Sequence, residues 1–193
     1  MVAIGSKALS LEEVYRVLLG GEEVVLETAA LQQVEASFLF LEKFSAKKLI
    51  YGINTGFGPM AQYRISDEDT FQLQYNLIRS HSSGTGKCLS PLHTKALMIA
   101  RLNSFMQAHS GIHPEVVHLL KELINKNVYP CVFEHGGVGA SGDLVQLAHL
   151  ALVLIGEGEV WYEDKYQPAA ELFARRGLKP IGSQVREGRA IMY

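Results

Sequence analysis

Apolar residues recur along most of this chain at intervals of three and four, the spacing that lays one face of a helix against a core. Ser10 and Glu13 form a capping box ahead of a helix predicted over 11–19, which Gly20-Gly21 ends. Residues 22–26 are a short β-leaning run. Leu31, Val34, Phe38 and Leu41 then sit at helical spacing within a helix predicted over 29–46. After a brief apolar stretch at 49–51 the pattern collapses into Gly52-Ile53-Asn54-Thr55-Gly56-Phe57-Gly58-Pro59. Its glycines and proline sustain neither regular structure, so it reads as a loop. Helices resume over 67–80, with Ser66 as cap, and from Ser90-Pro91, an N-cap followed by a first-turn proline, to His109.

Gly111 stops that helix, and Pro114 opens another that runs to Lys126. A glycine cluster follows at Gly136, Gly137, Gly139 and Gly142. Residues 143–155 are apolar almost all round, the mark of a buried central helix. Residues 159–166 alternate around Glu163-Asp164 like a small hairpin, and 168–176 form a last short helix closed by Gly177. With no internal repeat or linker-like stretch, the reading is a single domain over 1–193, mainly α with a few short strands.

Composition narrows the function classes. Of 193 residues 48% are hydrophobic and 20% charged, and the formal net charge is −2 with both signs interspersed. That balance offers no basic stripe for nucleic acid and no polybasic membrane patch. No run approaches the roughly eighteen apolar residues of a membrane span, and residues 1–7 lack a signal pattern. Cys88 and Cys131 lie far apart and follow no metal or redox spacing; they read as reduced thiols in a cytoplasmic protein. His93, His109, His113, His118, His135 and His149 show no zinc-like set. His109 and His113 are four apart, but Gly111 and Pro114 break the helix such a pair needs, so no metal is assigned.

The glycine cluster carries the candidate chemistry. Gly137-Val138-Gly139-Ala140-Ser141-Gly142 matches G-x-G-x-x-G, with Glu157 and Glu159 downstream, which raises a dinucleotide site. Against it, residues 128–133 are short and interrupted by Pro130, and no second strand follows at βαβ distance. A plainer reading is a tight loop before a helix cap. A third uses Ala140-Ser141-Gly142 itself. In a compressed loop the Gly142 amide nitrogen attacks the Ala140 carbonyl carbon, loss of water closes a five-membered ring, and loss of a second water from Ser141 leaves an exocyclic methylene. The amide must be twisted out of conjugation, so packing has to hold strain. The helix starting near Asp143 points its positive end at the loop.

Four blocks decide among these. Tyr51-Gly52-Ile53-Asn54-Thr55-Gly56-Phe57-Gly58, Asn76-Leu77-Ile78-Arg79-Ser80-His81-Ser82-Ser83-Gly84, Ala100-Arg101-Leu102-Asn103 and Gly136-Gly137-Val138-Gly139-Ala140-Ser141-Gly142-Asp143-Leu144 stand in this order across nearly the whole chain. Together they resemble the aromatic amino-acid ammonia-lyases, that is the histidine, phenylalanine and tyrosine ammonia-lyases and related aminomutases. At a finer level they look like bacterial members of the tyrosine-acting branch. The resemblance implies the N-terminal part of the L-aspartase-like helical fold. It also implies a 4-methylidene-imidazol-5-one formed from Ala140-Ser141-Gly142, with no metal and no nucleotide. The implied reaction is non-oxidative elimination of ammonia from an aromatic L-amino acid, histidine or tyrosine, giving urocanate or p-coumarate. The substrate amine, or in an older proposal its ring, adds to the methylene, and a base removes a β-proton. By resemblance Tyr51 is that base. A phenol ordinarily titrates near 10, so the role calls for positive charge or hydrogen bonds nearby. His81 matches the selectivity position beside Ser80, suited to an imidazole or a phenol, and Gly58 and Leu144 match positions lining the substrate site.

The resemblance also implies a cytoplasmic homotetramer whose active sites draw on several subunits. The family's chains are longer, continuing into a C-terminal helical bundle that is absent here. Tyr193 falls where an asparagine of an Asn-Gly-Thr segment is expected, and Arg189 where an apolar residue is usual. The 193 residues alone are therefore expected to be inactive and not to cyclise. The alternatives are an aminomutase with the same motifs, and a catalytically inactive domain acting as an assembly partner.

Overall fold

The computed structural model describes residues 1–5, 7–46, 48–56, 58–139, 144–182 and 188–192. Eight helices run through them: α1 (Leu11–Leu18), α2 (Thr28–Ser45), α3 (Asp67–His81), α4 (Pro91–Phe105), α5 (Pro114–Asn125), α6 (Leu144–Leu154), α7 (Ala169–Arg176) and α8 (Gly188–Met192). Seven short strands accompany them: β1 (Val2–Ile4), β2 (Val24–Leu26), β3 (Thr85–Cys88), β4 (Tyr129–Pro130), β5 (Phe133–His135), β6 (Glu159–Tyr162) and β7 (Lys165–Pro168). The chain is mainly α, as its periodicity predicts.

The helix starts follow local chemistry. Ser10 Oγ accepts the Glu13 N–H at 3.2 Å while the Glu13 carboxylate accepts the Ser10 N–H at 2.8 Å, a complete capping box. Ser66 and Ser90 cap α3 and α4 in the same way, accepting from Asp69 and His93. His113 caps α5 through Nδ1, which accepts the Glu115 N–H, so that ring has a structural task. Gly177 ends α7 at φ 63, the left-handed region that costs a glycine little.

Met98, Leu102 and Phe105, spaced by four and three on α4, are fully buried against α5. α6 packs against α3 and α8, which also meet each other, with Ala148, Leu150, Ala151, Val153 and Leu154 buried. α8 is tied down by Arg101, whose guanidinium donates to the Ala190 and Ile191 carbonyls at 2.8 and 2.7 Å and lies over the Phe105 ring. Burial lowers the Arg101 pKa to about 10, still far above neutral, so the group stays charged while it caps the helix end.

Strand pairing supplies what periodicity could not. β1 pairs parallel to β2 with Val2 opposite Val24 and Ile4 opposite Leu26. The Asn125 side chain exchanges two hydrogen bonds with the Val24 backbone, at 2.8 and 2.9 Å. β3 pairs antiparallel with β5, and β4, β6 and β7 form an antiparallel sheet with β6 in the middle. Pro130 thus lies on an edge, where its missing N–H breaks no ladder. The predicted hairpin is β6–β7, turned by Glu163 and Asp164 at φ 50 and 59.

Two expectations are corrected. α4 ends at Phe105, not at His109, because Ala108 takes φ 60, which no right-handed helix accommodates. Cys88 and Cys131 are not free thiols: they form a disulfide, with Cα atoms 5.4 Å apart. Antiparallel β3 and β5 bring the two together, so their separation in sequence was no guide. A bonded pair gives no support to the reducing compartment expected from free thiols.

Candidate active site

The loop after α2 is built by buried polar side chains. Asn54, 8% exposed, accepts the Ile50 N–H through Oδ1 at 2.7 Å and donates to the Ser45 and Lys48 carbonyls at 2.9 and 2.7 Å. Thr55 Oγ1 accepts the Gly52 N–H and donates to the Gly56 carbonyl. Gln74, buried on α3, donates to the Gly52 carbonyl at 3.2 Å. These bonds satisfy backbone groups that a glycine-rich loop leaves without a ladder. They fix Tyr51 on a rigid turn, with its ring 43% exposed. The Gly58 N–H donates to the Tyr51 hydroxyl oxygen at 3.5 Å, and Gly58, at φ 55, starts a single 3-10 turn over Gly58–Met60. Tyr51 and Gly58, two of the residues predicted for the site, are therefore in direct contact.

Ser80 and His81 close α3. Leu77 O accepts from Ser80 Oγ at 3.0 Å and lies 2.9 Å from His81 Nδ1. Ser80 Oγ stands 3.1 Å from the same Nδ1; the tautomer that donates Nδ1–H to the Leu77 carbonyl leaves Nε2 as an acceptor. Gln74, which holds the Tyr51 loop, is seven residues before His81. Seven residues make two turns of helix, so the two share one face of α3 about 10 Å apart.

Beyond His81 the chain meets α6. The Gly84 N–H donates to His149 Nε2 at 3.1 Å, and the His149 ring stands edge-on to Phe133 with centroids 5.0 Å apart. The glycine run lies against the first turn of the same helix. A Cβ on Gly136 would stand 2.8 Å from Val145 Cγ1 and 3.2 Å from Gly84 Cα; one on Gly137 would stand 2.8 Å from the Gln146 amide. At Gly136, which also takes φ 130, only a residue without a side chain can run this close, whereas the Gln146 amide beside Gly137 can swing aside. Leu144 opens α6, half-buried against the core. Burial pushes the His149 pKa down, which keeps Nε2 available as an acceptor.

Ala140, Ser141, Gly142 and Tyr193 lie outside the described residues. What is described brings Gly84, three residues beyond His81, and the glycine run together against α6, which Leu144 opens. Tyr51 and Gly58 are linked to them through α3. Asn54, Thr55, Gln74 and His149 escaped sequence reasoning as site-builders. The signal for His149 was one of only two polar residues, with Gln146, in an otherwise apolar helix; for Asn54-Thr55 it was a polar pair inside a glycine loop.

The topology does not form a dinucleotide unit around the glycine run. β5 pairs antiparallel with β3, and after α6 the chain enters the antiparallel β4–β6–β7 sheet. Glu157 is held by Arg79 of α3 in a two-bond ion pair at 3.0 and 2.6 Å. Among the described residues there is no group of three or more His, Cys, Asp or Glu that could hold a metal ion, and no helix long and apolar enough to cross a membrane.

Comparison with known proteins agrees with this geometry. The sequence profile described as "Aromatic amino acid lyase" matches residues 9–193. A histidine ammonia-lyase of Shouchella clausii is 42% identical over 193 residues, all of this chain but 39% of that relative. The crystal structure of histidine ammonia-lyase from Trypanosoma cruzi superposes with a TM-score of 0.87 at 30% identity, over 99% of this chain and 37% of that one. Tyrosine aminomutase from Streptomyces globisporus does so with a TM-score of 0.89 at 31% identity, over 99% of this chain and 36% of that one.

Proposed function

We propose a function from one established premise: this chain belongs to the aromatic amino acid lyase family. Joined to the remainder of a family-length polypeptide, it eliminates ammonia from an aromatic L-amino acid, histidine or tyrosine, and releases urocanate or p-coumarate. The observation that carries this reading is the convergence of the His81 segment and the glycine run on the first turns of α6.

The neighbours of Ala140-Ser141-Gly142 fit a cyclised tripeptide. At Gly136 the approach to Val145 and Gly84 is too close for a side chain, so the backbone can run hard against α6 just before the tripeptide. The resulting methylidene-imidazolone supplies an electrophilic alkene that converts the substrate amine into a leaving group. Tyr51 takes the β-proton, on a loop held by the Asn54–Thr55–Gln74 network and with the Gly58 N–H on its hydroxyl oxygen. His81, with its Nδ1 proton committed to Leu77, offers Nε2 to a ring donor, the phenol O–H of tyrosine or the imidazole N–H of histidine. Phenylalanine has no such donor and is the poorer substrate. Gly58 and Leu144 leave room for the ring.

An aminomutase is the second reading, supported by the likeness to tyrosine aminomutase. The assembly is a cytoplasmic homotetramer on this proposal. The test is an assay of the family-length polypeptide with histidine, tyrosine and phenylalanine side by side. Unsaturated acid should form from histidine or tyrosine, and Ser141→Ala should abolish it. A β-amino acid as main product favours the aminomutase; full turnover in the Ser141→Ala variant overturns the mechanism.

A further inference from the structure

His149 is one of the buried polar residues among those described, at 6% exposure, and the mechanism above makes no use of it. Its ring touches three segments at once. Nε2 accepts the Gly84 N–H, three residues beyond His81. The ring edge meets Phe133 on β5, the strand that leads into the glycine run. Its backbone belongs to α6, the helix that leaves the tripeptide. The fit is close: a Cβ on Gly84 would stand 2.8 Å from Nε2, 2.9 Å from Phe133 Cβ and 3.2 Å from the His135 carbonyl oxygen. Val145, one turn earlier on the same helix face, meets Gly136, whose own Cβ would stand 3.2 Å from Gly84 Cα. His149 and Val145 together therefore set the distance between the end of α3 and the glycine run.

We propose that His149 is a positioning residue for substrate recognition: by holding Gly84 against α6 it fixes the end of α3, and with it His81, relative to the glycine run. It touches no reacting atom and acts only through the backbone of 82–84. An N–H donor on Gly84 requires a lone pair on Nε2, so the working form is the neutral ring with its proton on Nδ1. The proposal rests on the lyase reading above, because that reading gives His81 its task.

The test compares His149→Phe, which keeps an aromatic ring but removes the acceptor, with His149→Gln, whose amide oxygen restores one. Both are made in the family-length enzyme. For the substrate with a ring donor, His149→Phe should raise KM about tenfold, the loss of one well-placed hydrogen bond, with a much smaller change in kcat. KM for phenylalanine, which gives His81 no donor, should not move. His149→Gln should restore KM. Should His149→Phe not accumulate as folded protein, Gly84→Ala probes the same contact and should give the same split. An equal loss on all substrates, or an unchanged KM in both His149→Phe and Gly84→Ala, overturns the positioning role and leaves the lyase reading standing. A parent enzyme that turns over none of the three amino acids overturns the lyase reading itself, and this proposal with it.

Discussion

The proton on His149 gives the folded state a pH signature. Burial sets the folded pKa below the ordinary value of about 6.5, so between the two values the unfolded chain binds more protons than the folded one. Stability from this group is therefore full above about pH 6.5, falls as the pH drops through that value, and stops falling below the folded pKa. Glu22 behaves differently. Its bonds to Arg16 and the N-terminal ammonium hold its pKa at about 2, so its contribution is lost only below its ordinary value of 4.5. Urea melts across mildly acidic pH should show a decline that His149→Gln flattens. A variant with the same slope as the parent would remove His149 as its source. The sequence shows His149 as a polar residue in an apolar helix but not its task, which depends on Gly84, sixty-five positions away.

At the scale of elements, the β3–β5 ladder carries the candidate site and the disulfide closes one end of it. Leu89 N–H donates to the Val132 carbonyl at 2.7 Å beside the Cys88–Cys131 bond. The bond spans 43 residues, and a loop of that size constrains the unfolded chain by about 4 kcal/mol on the chain-entropy account. Cys88→Ser should cost about 2–4 kcal/mol of stability in denaturant melts. Without reductant the parent should expose no alkylatable thiol even when unfolded; two labelled cysteines would show that the bond does not form. The same ladder shows what was legible. Ser10, Ser66, Ser90-Pro91, Pro114 and Gly177 mark their helix ends because a cap is chemistry within a few residues of itself. β1 and β3 carry no such mark. Each is three or four residues long, and what makes it a strand is a partner far along the chain. The 52–59 loop was legible as a loop, but Gln74, which pins it, belongs to a helix whose pattern gives no hint of that bond.

On the scale of the whole molecule, the candidate site faces outward. Tyr51 is 43% exposed, Tyr63 62% and Val138, inside the glycine run, 87%. Elimination from an unactivated carbon needs a base and an electrophile screened from water, because solvent competes for every charge that develops. The relatives have the means of covering such a face, since this chain spans 39% of the length of the Shouchella clausii enzyme. On the lyase reading, the 193 residues expressed alone should show no turnover, and their intact mass should lack the loss of two waters that marks cyclisation at Ser141. Co-expression with the remainder of a family-length chain should restore both, because covering the face excludes solvent and confines the tripeptide at once. These two measurements separate two roles of the missing surface. A chain that loses two waters alone but does not turn over would show that α6 and the glycine run suffice to strain the tripeptide, with outside residues needed only for the elimination. Turnover by the 193 residues alone would show that the exposed face already excludes water well enough, and the argument from exposure would fall.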